Sequence, residues 1–232
     1  MWDWSKIEEY IGCLSEEKKS LLITYKELLQ EENQKYNLTT IIDDQEIYLK
    51  HFIDSVLFIK EFEINNQKIM DIGTGAGFPG LVIKILFPDT SVFLVESNNK
   101  KINFLNLVIN KLGLKNIYTV NKRAEEYSTE TKEQFDIVIS RAMAPLNILL
   151  EVGVQAIKIK GHFICLKAKN VFQEITQLNG KEHLIGLKLI KEQNLLIENI
   201  GERINLFYEK VTKTNDNYPR LYSQIKKKPL GS

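Results

Sequence analysis

Asp71, Gly73, Gly75, Gly77 and Gly80 crowd into one string, Asp71-Ile72-Gly73-Thr74-Gly75-Ala76-Gly77-Phe78-Pro79-Gly80. Closely spaced glycines let a backbone turn tightly and approach a ligand with no Cβ in the way, and Asp71 places a carboxylate at the entrance. Glycines at this density weaken a fold unless something uses them, so a bare turn without a ligand is the weaker reading. Lys68-Ile69-Met70-Asp71-Ile72 before the string is a buried-type strand, and Phe78 to Phe87 after it reads as a helix stopped by Pro88. Pro79 suits a first helical turn, where its missing N–H would be unpaired anyway. A strand–glycine turn–helix unit puts the string at the carboxyl edge of a sheet, where α/β folds bind ligands.

The rest of the chain supplies that sheet. Leu21, Leu22, Tyr25, Leu28 and Leu29 recur at helical spacing between Glu16 and Tyr36, with Ser15 as a candidate N-cap. A second helical pattern covers about Asp43 to Phe62. Strands are expected at 68–72, 91–96, 116–120, 135–140, 161–167, 187–197 and 203–211, with helices at 98–112 and 146–158. Strand–helix alternation closed by a hairpin indicates a doubly wound α/β fold with seven strands, an antiparallel edge strand and an N-terminal helical extension.

Composition narrows the class. The 232 residues suit one or two domains. Lys+Arg 31 against Asp+Glu 30 leaves a net charge of +1, which excludes a wholly basic nucleic-acid coat. The balance is uneven: residues 1–66 carry −7, 67–209 carry +3 and 210–232 carry +5. A basic end suggests an anionic partner met there, the competing reading being a solvated terminus. No apolar run reaches the roughly 18 residues of a membrane span, and no signal peptide precedes the first helix. Cys13 and Cys165 have no metal-ligand spacing, and no metal is expected. These features indicate a cytoplasmic protein.

Two frames fit the glycine string. Gly75, Gly77 and Gly80 satisfy the G-x-G-x-x-G dinucleotide fingerprint, with Glu96 placed for a ribose hydroxyl. Asp71, Gly73, Gly75 and Gly77 instead give D-x-G-x-G-x-G, the pattern of S-adenosylmethionine (AdoMet) methyltransferases. Asp71 suits the cationic end of AdoMet better than a pyrophosphate. The closing hairpin matches the reversed last strand of that class. Ser140-Arg141-Ala142-Met143-Ala144-Pro145 offers a cation but no pair for hydride chemistry. The balance falls to AdoMet.

The chain closely resembles the bacterial small-subunit ribosomal RNA methyltransferase G family, also called the glucose-inhibited division protein B family. The resemblance rests on Tyr36-Asn37-Leu38-Thr39, His51-Phe52-Ile53-Asp54-Ser55, Asp71 to Gly80, Arg123-Ala124-Glu125, Phe135 to Ala142, Tyr218-Pro219-Arg220 and Lys228-Pro229-Leu230. It implies a Rossmann-like sheet of the class I AdoMet-dependent methyltransferase type and formation of 7-methylguanosine in 16S rRNA. The partner is then 16S rRNA or the small ribosomal subunit, and the protein a monomer. The tail departs from the family's usual Gly-Thr-Pro, reading Leu221-Tyr222-Ser223. The implied division is a helical extension at 1–66, the methyltransferase domain at 67–213 and a basic tail at 214–232.

Roles follow position by position. Gly73 and Phe78 match family cofactor contacts, as do Ala124 and Glu125 on the adenine side and Arg141 beside the cofactor. A purely structural salt bridge is the competing reading of Arg141. Glu96, at a strand end, can accept hydrogen bonds from both ribose hydroxyls; the alternative is an acid that caps the following helix. Guanine N7 carries a free lone pair and loses no proton on attack, so no general base is expected and Arg141 serves as a positioning group. His51, His162 and His183 are scattered accordingly. His51, Asp54 and Ser55 share a helical face, which favours a helix-to-sheet hydrogen-bond network over direct catalysis.

Candidate phosphate contacts are Lys100, Lys101, Arg123, Lys167, Lys169, Arg220, Lys226, Lys227 and Lys228, several of them following strand ends on the cofactor edge. Tyr218 and Tyr222 could stack on unpaired bases or pack on the sheet. Two other classes stay open at this point: an NAD-dependent oxidoreductase, and a non-catalytic RNA-binding assembly factor.

Overall fold

The computed structural model describes residues 2–232. α1 (Ser5–Ile11), α2 (Glu16–Tyr36) and α3 (Asp44–Ile47) precede the sheet, and α3 runs on as a π-helical turn, Tyr48–Ile53. Ser15 accepts from the Lys18 N–H as the N-cap of α2, and Asn37 ends that helix in the left-handed conformation. The alternating elements are β1 (Lys68–Ile72), α4 (Gly80–Leu86), β2 (Ser91–Val95), α5 (Asn99–Lys111), β3 (Ile117–Val120), α6 (Ala124–Glu130) and β4 (Phe135–Arg141). They are followed by α7 (Leu146–Gly153), β5 (Ile157–Ala168), α8 (Val171–Leu178), the hairpin β6 (Leu187–Ile197) and β7 (Gly201–Lys210), and α9 (Tyr222–Lys227).

The seven strands lie in the order β3-β2-β1-β4-β5-β7-β6. The expected doubly wound sheet is present. The antiparallel strand differs in place: β7 inserts between β5 and β6, antiparallel to both, so the edge strand β6 runs with the rest. β1 and β4 sit side by side at the centre, where strand order reverses, so their carboxyl ends open a crevice.

Three helices depart from the sequence pattern. The second one breaks, because the Lys50 carbonyl that would accept from Asp54 N–H accepts from Arg141 Nη1 at 2.8 Å. Asp54 N–H reaches back to Leu49 instead, one residue further, which is the π turn. The helix after the glycine string starts only at Gly80. α7 stops at Gly153 and passes into a 3-10 turn, Val154–Ala156, whose Gln155 and Ala156 carbonyls accept from Glu133 and Gln134 and are thereby kept from continuing a helix. α1, α6, α8 and α9 are short elements absent from the expected set.

Apolar packing continues from the N-terminal helices into one face of the sheet. Tyr25, Leu29, Phe52 and Phe58 join Ile69, Leu81, Leu94 and Ile139 in one cluster. A second cluster, on the other face, gathers Leu149, Phe163 and Leu206, and also Ile225 and Leu230 from the chain end. No helix among the described residues is long and apolar enough to cross a membrane.

Candidate active site

The glycine string is closed by its own acid. Asp71 is fully buried; its Oδ2 accepts from Thr74 Oγ1 at 2.6 Å and from Gly80 N–H at 2.8 Å. A Cβ on Gly80 would stand 2.7 Å from that oxygen, so only glycine lets the helix start so close to the strand. Asp71 Oδ1 has no hydrogen-bond partner among the described residues. Burial pushes the Asp71 carboxyl up to about 6, against the pull of its two hydrogen bonds. From α2, the Tyr25 hydroxyl donates to the Ala76 carbonyl at 2.5 Å and pins the top of the loop.

Glu96 follows β2 and is nearly buried. Its Oε2 accepts from Gly75 N–H at 3.2 Å and its Oε1 from Asn98 N–H at 2.8 Å. The two readings of Glu96 are therefore compatible: it steadies the start of α5, and each oxygen keeps a lone pair for a ligand. Asn98 itself caps α5, accepting from Lys100 and Lys101.

Arg141, at the end of β4, is held on three sides. Its guanidinium donates to Lys50 O, to Asp54 Oδ2 at 3.0 Å and to His51 Nδ1 at 2.9 Å, and it stands 5.0 Å over the Phe78 ring. The His51 ring stacks on the other partner of this group, Phe78, at 4.2 Å. Asp54 Oδ1 takes Arg203 Nε of β7 at 2.5 Å. The expected helix-to-sheet network is thus built from His51 and Asp54 on one side and Arg141 and Arg203 on the other. Ser55 is outside it, donating to the His51 carbonyl four residues back.

Two cavities flank the segment after β4. The smaller, about 280 Å³, is lined by Gly73, Glu96, Arg123, Ala124, Glu125 and Tyr222, among others. The larger, about 620 Å³, is lined by Lys50, Asp54, Arg141, Lys167, Glu174 and Arg203, among others. Ala142 and Met143 line both, forming a common wall. Ala142 has φ +53°, and Met143 folds over Gly73 so closely that a Cβ there would lie 2.5 Å from its Cγ.

The structure therefore sorts the sequence-derived residues. Gly73, Glu96, Ala124 and Glu125 come together around the smaller cavity, with Lys101 and Arg123 at its rim. Asp71, Gly75, Gly77 and Phe78 line neither cavity and hold the loop from beneath. Arg141 faces the larger cavity, and its salt bridge to Asp54 is real.

Two of the expected phosphate contacts are spent internally. Lys167 is buried and donates to Ala144 O and Glu174, while Arg220 clamps the fully buried Glu151 through Nε and Nη2 at 2.8 and 2.6 Å. The buried Glu151 carboxylate needs its cation and the buried Lys167 ammonium its partners, so neither side chain is a free surface charge. Lys100, Lys169, Lys226, Lys227 and Lys228 stay exposed. Tyr218 packs against the second core cluster, as does Tyr222, whose ring also carries the Arg123 guanidinium at 4.6 Å.

Met143, Lys50, Arg203, Thr39 and Glu174 escaped the sequence reading. Thr39 and Met143 stood in quoted strings without a role of their own; Lys50, Arg203 and Glu174 are single residues on different elements, with no spacing to link them.

The smaller cavity's groups fit AdoMet. A carboxylate with free lone pairs faces it for vicinal hydroxyls, the α6 N-terminus at Ala124 offers backbone N–H groups, and Gly73 lines the cavity beside the Met143 side chain that folds over it.

Relatives decide the family. Residues 18–200 match the family model of rRNA small subunit methyltransferase G. The chain is 55% identical over 214 residues to ribosomal RNA small subunit methyltransferase G of Mycoplasma capricolum subsp. capricolum, covering 92% of each chain. It is 49% identical over 232 residues to the protein of that name from Mesoplasma florum, covering 98% of each. The chain belongs to the rRNA small subunit methyltransferase G family. The dinucleotide frame of the glycine string is therefore not the one in use. Among solved structures, a SAM dependent methyltransferase from Aquifex aeolicus shares the fold, with a TM-score of 0.55 and 16% identity over 78% of this chain and 98% of that one.

Proposed function

We propose that this chain methylates N7 of a guanine in 16S ribosomal RNA, taking the methyl group from AdoMet. The observation that carries the reading is the common wall: Ala142 and Met143 part a cavity suited to AdoMet from a larger one suited to a nucleotide. A methyl donor on one side and an acceptor base on the other meet there. AdoMet supplies an electrophilic methyl: the N7 lone pair forms the new N–C bond, the C–S pair returns to sulfur, and the positive charge moves to the base.

This chain's own residues bind and orient. Gly73, Glu96, Ala124 and Glu125 hold the cofactor, with Asp71 and Tyr25 keeping the loop in shape. Arg141, anchored by Asp54 and His51, presents a fixed cation to the larger cavity as a positioning group. No proton has to leave N7, and His51 is suited to staying neutral: burial and the Arg141 charge push it down to about 3.

Exposed Lys100, Lys169, Lys226, Lys227 and Lys228, with Lys101 and Arg123 on the cavity rim, supply the phosphate contacts of an extruded nucleotide. The protein acts as a cytoplasmic monomer, with 1–66 as a helical extension, 67–213 as the catalytic domain and 214–232 as a basic tail. Methyl transfer from labelled AdoMet to unmethylated bacterial RNA, followed by nucleoside mass spectrometry, tests the reading. Protein-dependent 7-methylguanosine in 16S rRNA is expected; AdoMet binding without transfer to any RNA or assembling subunit would favour the assembly-factor alternative.

A further inference from the structure

The larger cavity contains an ion pair that the reaction as described does not use. Glu174, on the first turn of α8, places Oε2 2.7 Å from both Leu146 N–H and Lys167 Nζ. Its Oε1 has no hydrogen-bond partner among the described residues, and the side chain is 22% exposed. Asp54, the other carboxylate of this cavity, has both oxygens taken by Arg141 and Arg203. Lys167 is itself nearly buried and donates two of its three N–H bonds, to Ala144 O at 2.6 Å and to Glu174. The pair thus presents one free acceptor and one free donor side by side.

That pattern complements one base. Guanine shows two donors, N1–H and the 2-amino group, next to the O6 acceptor along its Watson–Crick edge, and an extruded base is read on that edge. Adenine shows the reverse order and would meet a carboxylate with its lone pair. We propose that Glu174 Oε1 accepts from N1–H and the 2-amino group of the target guanine while Lys167 donates to O6. Placement ties the pair to the transfer site: Ala144 O and Leu146 N–H, which hold it, belong to the same segment as Ala142 and Met143 of the common wall. The assignment rests on the N7-guanine reading above and adds the residues that select the base.

The test compares substrate RNA carrying guanosine or inosine at the single target position, since inosine keeps N1–H, O6 and N7 but lacks the 2-amino group. Wild type should methylate the guanosine RNA with kcat/KM at least about tenfold above the inosine RNA. Glu174→Gln should lower kcat/KM on guanosine by at least about tenfold and bring the guanosine-to-inosine ratio towards one, with the AdoMet Kd unchanged. A ratio equal in wild type and Glu174→Gln would assign Glu174 a purely structural part and overturn the proposal. Wild type that methylates both RNAs equally well would overturn it with no variant needed. Absence of 7-methylguanosine from the wild-type guanosine reaction would take down the N7-guanine reading as well, and that control tells the two failures apart.

Discussion

Arg141 donates to His51 Nδ1 at 2.9 Å, and because a guanidinium can only donate, the imidazole proton must sit on Nε2. That nitrogen faces Thr39 Oγ1 at 3.0 Å, so one arginine on the sheet sets the tautomer of a histidine on the helical extension. The neutral ring, stacked on Phe78 beneath the glycine loop, links the two cavities' supports.

The pH dependence of stability follows from His51 and Asp71, with opposite signs. His51 drops from its ordinary 6.5 to about 3 in the fold, chiefly through burial, so unfolding takes up a proton between those values and its contribution is lost as pH falls. Asp71 rises from 3.8 to about 6, so unfolding releases a proton in that window and stability falls as pH rises through it. Between pH 4 and 6 the two offset. His51→Gln should therefore lose stability relative to wild type as pH rises from about 4 to 6, by up to about 1.4 kcal/mol per pH unit. Asp71→Asn should lose it as pH falls. Denaturant melts at pH 4.5 and 6 check this, and a wild-type-to-variant difference that is the same at both would show that neither group titrates as assigned.

Gly73→Ala should weaken AdoMet binding at least about tenfold. Gly73 has φ +68°, which L side chains rarely adopt, and its Cβ would displace Met143 from the common wall. Calorimetric titration with AdoMet reads the loss; native affinity would place the cofactor elsewhere.

Glu96→Ala should lower AdoMet affinity by about 10- to 100-fold, the worth of hydrogen bonds to a charged group of about 1.5–3 kcal/mol. RNA affinity should hold, because Glu96 faces the smaller cavity alone. Equal losses in both titrations would make Glu96 a support of the Gly75 and Asn98 backbone and nothing more.

Changing Lys226, Lys227 and Lys228 together to Gln should weaken RNA binding and flatten the dependence of log Kd on log salt by about 2, at about 0.7 per phosphate contact. All three are exposed, so thermal stability should be unchanged. Deleting 221–232 is a poorer experiment, since it also removes buried Ile225 and Leu230 and the cavity-lining Tyr222. An unaltered salt slope would leave the tail with a packing role only.

What the amino-acid sequence determined by itself is local in origin. The Glu16–Tyr36 helix, the buried β1 strand, the glycine turn that follows it and the alternation that builds the sheet depend on period, chain stiffness and the freedom of glycine, all of which act over a few residues. The candidate cofactor residues Gly73 and Glu96 shared that legibility because each lies at a strand end, and parallel strand order alone brings such ends to one edge; Ala124 and Glu125 were reached only through the family resemblance.

Only the tertiary structure decided the rest. The break of the second helix at Lys50 depends on Arg141, which is 91 residues away along the chain. The loss of Lys167 and Arg220 as surface cations depends on Glu174 and on the buried Glu151, pairings that no local pattern records. The larger cavity draws His51, Arg141, Glu174 and Arg203 from four separate elements. Charge pairing and burial are set by distance in space, and a spacing along the chain carries no information about a partner that the fold delivers from elsewhere.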